Sequence, residues 1–240
     1  MSRSVPLTPE PRTPLISASV LSADFARLGE EVRRAVAAGV DSIHLDVMDG
    51  HFVENITMGP LVVEALRPHS TLPFHSHLMI SQPLRYVSAF AEAGSDLIIF
   101  HLEADDDPYE VIAAIRGSGR QAGMAINPET TAEAAVPYLT QIDLLLVMTV
   151  HPGWGGQPFM TEMLPKLAAL RAEVGARDLD LPIGVDGGVN LESIGSAYAA
   201  GGETLVAGKA LYGTDGDLRP VVEALRREAL GAGASTSLSG

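Results

Sequence analysis

The feature that most constrains this chain is an alternation of short apolar runs with segments of helical spacing, repeated eight times. Runs of strand length, rich in apolar or β-branched residues, occupy 15–20, 42–47, 72–79, 96–101, 121–126, 142–149, 181–186 and 203–207. The segments with helical spacing that follow them are 24–38, 59–67, 82–93, 107–117, 130–138, 160–175, 190–200 and 217–229. Such units pair their strands in parallel through right-handed crossovers, so the pattern predicts an α/β fold.

Two architectures can be built from these units, a closed (β/α)8 barrel and an open doubly wound sheet. An open sheet rarely needs eight evenly spaced units, and no strand here is followed by a convincing GxGxxG loop. We therefore predict a single (β/α)8 TIM barrel, and the 240 residues suit one, since such barrels commonly run to about 250. The barrel is expected over residues 14–230, with a flexible arm at 1–13 and a flexible tail at 231–240.

Composition excludes several classes of function. A net charge of −14 argues against a nucleic-acid partner, because binding the phosphate backbone requires a basic face. The chain contains no cysteine, so any metal site must use His, Asp or Glu. No apolar run approaches the roughly 20 residues of a membrane helix, and the first residues lack the apolar core of a signal peptide. We therefore expect a cytoplasmic protein without nucleic-acid or membrane partners.

Ionisable side chains lie near the ends of three predicted strands and face the barrel interior. His44 and Asp46 alternate along the second strand. His77 lies on the third strand and Asp186 ends the seventh. Polar groups inside a barrel are costly unless paired or metal-bound, and two imidazoles with two carboxylates suit Zn²⁺, Fe²⁺, Mn²⁺ or Co²⁺ better than Ca²⁺ or Mg²⁺. The alternative interpretation is four barrel residues that are hydrogen-bonded internally.

Glycine-rich loops follow the last three predicted strands, at 151–159, 186–190 and 207–213. Glycine lets the backbone approach an anion closely, and the loops after strands seven and eight of such barrels frequently bind phosphate. The predicted phosphate contacts are therefore Gly153, Gly155, Gly156, Gly187, Gly188 and Gly208, with Lys209 as an additional charge.

Five segments together resemble the ribulose-phosphate 3-epimerase family of the ribulose-phosphate-binding barrel superfamily. They are, in chain order, ISASVLSADF, HLDVMDGHFVENIT, HLMI, VHPGWGGQPF and VDGGVN, and the resemblance spans residues 15–213. It implies a metal-dependent isomerase of carbohydrate metabolism, placed in the pentose phosphate pathway, that acts on a small sugar phosphate. It also implies one divalent metal ion per subunit, held by His44, Asp46, His77 and Asp186. We further expect a homo-oligomer.

The resemblance assigns roles to individual positions. Asp46 and Asp186 match the family's acid/base pair, which inverts C3 between D-ribulose 5-phosphate and D-xylulose 5-phosphate through a cis-enediolate. Two carboxylates suit this reaction, because a proton must leave one face of the carbon and another must arrive at the opposite face. Substrate-contacting or site-lining positions of the family are matched by Ser19, Met48, Met79 and Met148.

Three positions depart from the family pattern, one of them Glu54, which replaces a common proline in the loop after the second strand. Lys209 stands where most members have a serine, and either contacts phosphate or points outward while the Gly208 amide binds. This lysine in the phosphate loop leaves open another ketose phosphate as the substrate, such as D-allulose 6-phosphate. His75 stands where an aspartate is usual, and could donate a hydrogen bond, become an extra metal ligand or fill space. His101 and Glu103 alternate inward on strand four and are candidates for the layer behind the metal ligands.

Two other classes of protein compete with this interpretation. Metal-assisted decarboxylases on related barrels are marked by an Asp-x-Lys-x-x-Asp motif. The corresponding segment here, LDVMDG, has methionine in place of the lysine. A non-catalytic sugar-phosphate-binding barrel would be expected to lose a metal ligand or a carboxylate. All four predicted metal positions are present in this chain.

Overall fold

Eight parallel strands pair in chain order and close into a barrel, with β1 beside both β2 and β8. The structure, a computed structural model, describes residues 13–236, with side chains up to residue 231. The strands are β1 (Leu15–Ser19), β2 (Ser42–Met48), β3 (Phe74–Met79), β4 (Leu97–His101), β5 (Gln121–Ile126), β6 (Leu144–Met148), β7 (Ile183–Asp186) and β8 (Thr204–Ala207). The predicted (β/α)8 barrel is thus confirmed.

Helices alternate with the strands along the chain. They are α1 (Leu28–Ala38), α2 (Pro60–Leu66), α3 (Val87–Glu92), α4 (Pro108–Gly117), α5 (Ala132–Ala135), α6 (Leu164–Ala176), α7 (Ile194–Ala199), α8 (Lys209–Tyr212) and α9 (Arg219–Thr236). Short 3-10 turns span Val20–Ser22, Phe25–Arg27, Arg67–His69, Pro83–Tyr86, Val136–Tyr138 and Thr161–Met163. Across the described residues, none of the helices combines the length and apolar character needed to cross a bilayer.

Local sequence explains where several of these helices begin and end. Asp107 caps α4 by accepting hydrogen bonds from the backbone N–H groups of Tyr109 and Glu110, and Pro108 occupies the first helical position. Gly39 ends α1 at a φ of 87°, a left-handed conformation that glycine adopts without strain. These signals fix where the chain turns back towards the barrel.

The barrel interior is divided into an apolar part and a polar part. Inward-facing residues of β4, β5, β6 and β8 belong to one buried apolar cluster, made of Leu97, Ile99, Ala125, Leu144, Leu146, Met148, Val150 and Val206. The buried ionisable groups His44, Asp46 and His77 lie on β2 and β3. The ionisable groups of β2 and β3 therefore share the barrel interior with a closely packed apolar cluster.

Two helices at the C-terminal end differ from the prediction. The helix α9 runs to Thr236, so it extends six residues into the segment predicted as a tail, 231–240. The small residues of this segment gave no apolar periodicity to indicate a helix. The short helix α8 was read as part of a glycine loop, because its four residues lie between Gly208 and Gly213. The predicted arm, residues 1–13, lies outside the described residues except for Thr13.

Candidate active site

Strand register brings four predicted ligands to one point in the barrel. Asp46 on β2 pairs in register with His77 on β3, and His44 precedes Asp46 by one inward-facing position. Asp186 ends β7, which lies three strands away from β2 around the barrel by way of β1 and β8. One ligand atom from each of these residues lies within 4.8 Å of the others. The predicted cluster is therefore assembled as expected.

The spacing of the donor atoms fits a metal ion. His44 Nε2 lies 3.2 Å from Asp46 Oδ1 and 3.5 Å from Asp186 Oδ2, and His77 Nδ1 lies 3.2 and 3.3 Å from the same two oxygens. The two nitrogens are 3.2 Å apart. Ligands about 2.0–2.2 Å from a tetrahedral metal lie about 3.3–3.6 Å from one another. These four groups could therefore hold one divalent metal ion.

The protonation of the cluster also favours a cation. Burial lowers the pKa of His44, but the charge of Asp46 and the hydrogen bond to Asp186 outweigh burial and raise this pKa to about 10. Burial raises the pKa values of both aspartates, but the neighbouring imidazoles hold both pKa values below the usual range. Two ionised carboxylates thus face a shared point inside the protein. Positive charge at that point stabilises them, whether protons or a metal ion supply it.

Hydrogen bonds from neighbouring residues hold the carboxylate of Asp46 and the backbone of both aspartates. The Ser19 hydroxyl donates a 2.6 Å hydrogen bond to Asp46 Oδ2, which leaves Oδ1 facing the histidines. Thr57 donates to the backbone carbonyl of Asp46 over 2.6 Å. Thr149 donates its backbone N–H to the carbonyl of Asp186 over 2.8 Å, and its hydroxyl lies 2.6 Å from the next carbonyl along the chain, that of Gly187. The two aspartates are therefore held at the ends of their strands.

Two further histidines lie near the cluster in different roles. His101 on β4 lies behind His77, and the Nδ1 atom of His101 is 3.2 Å from Glu103. Both residues therefore occupy the layer behind the metal ligands, as expected. Burial lowers the pKa of His75 to about 3, with a further contribution from His44. His75 contributes no atom to the four-residue cluster, and its Nδ1 is buried without a hydrogen-bond partner. The structure therefore favours a space-filling role for His75.

A cavity of about 470 Å³ opens above the two carboxylates at the C-terminal ends of the strands. Asp46 and Asp186 line it, together with the predicted contacts Ser19, Met48, Met79, Met148, Gly153, Gly155, Gly156, Gly187, Gly188, Gly208 and Lys209. Contact of these residues with a substrate stays a prediction. An adjoining cavity of about 330 Å³ shares the Lys209 and Gly155–Gly156 wall.

Close packing explains part of the glycine content of these loops. A Cβ atom at Gly188 would lie 2.4 Å from the backbone nitrogen of Phe159, and its φ of 68° also disfavours other residues. The side chain of Lys209 packs over Gly156, where a Cβ would lie 3.0 Å from the lysine Cδ. The loops after β6, β7 and β8 are thus in direct contact at one end of the cavity.

Several residues of this site were not predicted from the sequence. The cavity is also lined by Leu21, Ser22, Val150, Trp154, Gln157 and Asn190. The sequence did offer a signal for Trp154, the one tryptophan of the chain within a glycine-rich loop, and in the structure this side chain is 61% exposed. Thr57 and Thr149 gave no comparable signal, because their role depends on hydrogen bonds to strand ends far away in sequence.

Known proteins match both the sequence and the fold. The model of the ribulose-phosphate 3 epimerase family matches residues 15–212. The ribulose-phosphate 3-epimerase of Bacillus subtilis is 47% identical over 82% of this chain and 92% of its own length. That of Mycobacterium tuberculosis strain H37Rv is 46% identical over 94% and 97%. A 3-hexulose-6-phosphate synthase structure from Salmonella typhimurium covers 91% of this chain and 99% of its own, with a TM-score of 0.66 at 17% identity, a likeness of fold alone.

Proposed function

The chain belongs to the ribulose-phosphate 3-epimerase family and is an epimerase acting on carbohydrates, and from this premise we propose that it inverts C3 of D-ribulose 5-phosphate to give D-xylulose 5-phosphate. The observation that carries the proposal is the pair of aspartates, which line one cavity from strands three steps apart. The glycine loops and Lys209 line the same cavity and supply a place for the phosphate. Its place in the pentose phosphate pathway is consistent with the name of the family.

The geometry suggests which carboxylate oxygens move protons. Oδ1 of Asp46 and Oδ2 of Asp186 face the histidines, so the second oxygen of each carboxylate remains for acid/base work. In Asp46 that oxygen is Oδ2, which the Ser19 hydroxyl orients. One aspartate removes the C3 proton and the other, protonated, returns a proton to the opposite face through an enediolate. The two aspartates exchange roles in the reverse direction.

The surroundings of the carboxylates favour the same chemistry. The donor set fits Zn²⁺, Fe²⁺, Mn²⁺ or Co²⁺, which His44, Asp46, His77 and Asp186 would hold. When bound, such an ion would supply stabilisation of negative charge on the substrate oxygens. The cavity-lining methionines are at most 3% exposed. Their apolar thioethers exclude water from the reacting carbon and add no competing hydrogen-bond donor. The methionines are Met48, Met79 and Met148.

We expect metal-replete protein to epimerise C3 of D-ribulose 5-phosphate faster than that of D-allulose 6-phosphate or D-erythrulose 4-phosphate. Assays of all three sugar phosphates, with and without a chelator, measure this preference. Faster turnover of D-allulose 6-phosphate would indicate the alternative substrate. The adjoining cavity beside Lys209 offers space for its longer carbon chain. No turnover of any of them by metal-loaded protein would contradict the proposed reaction, and sugar-phosphate binding without turnover would instead indicate a non-catalytic barrel.

Lys209→Met is expected to raise the KM for the sugar phosphate about tenfold, since a hydrogen bond to a charged group contributes about 1.5–3 kcal/mol. The side chain of Lys209 lies over the loop after β6 and lines the cavity, so its charge should act on binding more than on kcat. Initial rates over a range of substrate concentrations measure both constants. Lys209→Arg is the control that keeps the charge. An unchanged KM in Lys209→Met would mean that the Gly208 amide binds the phosphate while Lys209 points outward.

A further inference from the structure

A line of polar groups extends from the back of the candidate metal site to the loop after β5. His77 presents Nδ1 to the two aspartates, and its other ring nitrogen, Nε2, lies 2.8 Å from Nε2 of His101. The opposite nitrogen of His101, Nδ1, lies 3.2 Å from Oε2 of Glu103. Both imidazoles are fully buried. The three side chains therefore form one continuous hydrogen-bonded line behind a single ligand.

Only one arrangement of hydrogens along this line suits a metal on His77. If Nδ1 of His77 binds the ion, the hydrogen of the neutral ring is on Nε2 and is donated to His101. His101 must then accept at Nε2 and carry its own hydrogen on Nδ1, where the carboxylate of Glu103 accepts it. Glu103 can only accept while it is ionised, so its carboxylate selects the required tautomer of both rings.

Glu103 is itself held in place on its other side. Its Oε1 accepts a 2.8 Å hydrogen bond from the backbone N–H of Asn127 and another hydrogen bond from the hydroxyl of Thr130. The ring of Phe52 packs against that of His101, with the ring centres 4.8 Å apart. These contacts leave Oε2 directed at His101 and limit rotation of the imidazole.

We propose that Glu103, acting through His101, is a positioning residue that orients His77 and sets its tautomer for metal binding. The inference rests on the metal site of the proposed function. Interactions of this kind behind a metal ligand typically change metal affinity about 10- to 100-fold. Glu103 does not line the cavity and is not a catalytic residue. A competing role for Glu103 is purely structural, as an anchor for the loop after β5.

The variant Glu103→Gln distinguishes these roles because it keeps the shape of the side chain. With its oxygen kept towards Asn127 and Thr130, the glutamine amide donates to His101 and reverses the tautomer, so that two N–H groups face each other between His101 and His77. We expect the dissociation constant for Co²⁺, measured by competition with a chromophoric chelator, to rise about 10- to 100-fold. We also expect the visible absorption spectrum of bound Co²⁺ to change.

The matched control is Thr130→Val, which removes one hydrogen bond to Glu103 and leaves its carboxylate facing His101. We expect this variant to keep the Co²⁺ affinity and spectrum of the unmodified protein. An affinity of Glu103→Gln within about twofold of the unmodified protein would overturn the inference, as would an equal loss in Thr130→Val. Absence of Co²⁺ binding by the unmodified protein would contradict the proposed metal site itself, and therefore also this inference.

Discussion

Replacing Asp186 with asparagine is expected to lower kcat for epimerisation about 10²- to 10⁴-fold while proton exchange at C3 persists in one epimer. Asparagine keeps the shape of the side chain and an oxygen for the metal, but it cannot accept the C3 proton. Asp46 can then remove a proton only from the epimer whose C3 hydrogen faces it, and must return the proton to the same side. Asp46→Asn is expected to show the complementary behaviour, with exchange confined to the other epimer.

Deuterium incorporation at C3 measures which aspartate exchanges the hydrogen of which epimer. Each epimer is incubated with each variant in deuterated solvent, and NMR follows loss of the C3 hydrogen separately from formation of the other epimer. Asp105→Asn serves as the control, because Asp105 is exposed in the loop after β4 and lies outside the cavity. Full epimerisation by either site variant would contradict the two-carboxylate mechanism.

The fold could be predicted from the sequence because the strands are almost entirely buried and helices such as α1 bury one face, so short apolar runs and helical spacing were both visible. The errors have specific causes. Three predicted strands begin two residues too early, at Leu72, Ile142 and Leu181, because apolar loop residues that pack against the core look like strand residues. The fifth predicted helix, 130–138, becomes a 3-10 turn from Val136, since Pro137 lacks the N–H that would continue the α-helix.

The candidate site was predictable to the extent that it depends on strand alternation. A period of two along a strand predicts which side chains face the barrel interior. Strand register and the end of β7 then bring together His44, Asp46, His77 and Asp186. The hydrogen bond from Ser19 to Asp46 was not predictable, although the family resemblance named the serine. It depends on the rotamer of each side chain and on the distance between β1 and β2, which no pattern along the chain encodes.

Metal removal is expected to lower kcat at least about 10³-fold, because a bound ion supplies several kcal/mol of charge stabilisation. It should also destabilise the fold, since a ligand at 1,000 times its dissociation constant contributes about 4 kcal/mol to the native state. Two buried carboxylates that face one point would otherwise depend on protons held by His44 and His77. Dialysis against a chelator, followed by activity assays and thermal unfolding, measures both effects, and adding Zn²⁺, Mn²⁺, Co²⁺ or Fe²⁺ separately should restore them to different extents.

His77→Gln is expected to reproduce the metal-free behaviour without a chelator, because it removes one of the four ligands. The matched control is His151→Gln, at an exposed histidine that pairs with Glu129 outside the cluster and should leave activity and metal content unchanged. Full turnover by protein that elemental analysis shows to be free of metal would contradict a metal role in the reaction. If His77→Gln and His151→Gln lost the same amount of metal, the four-residue cluster would not be the place where it binds.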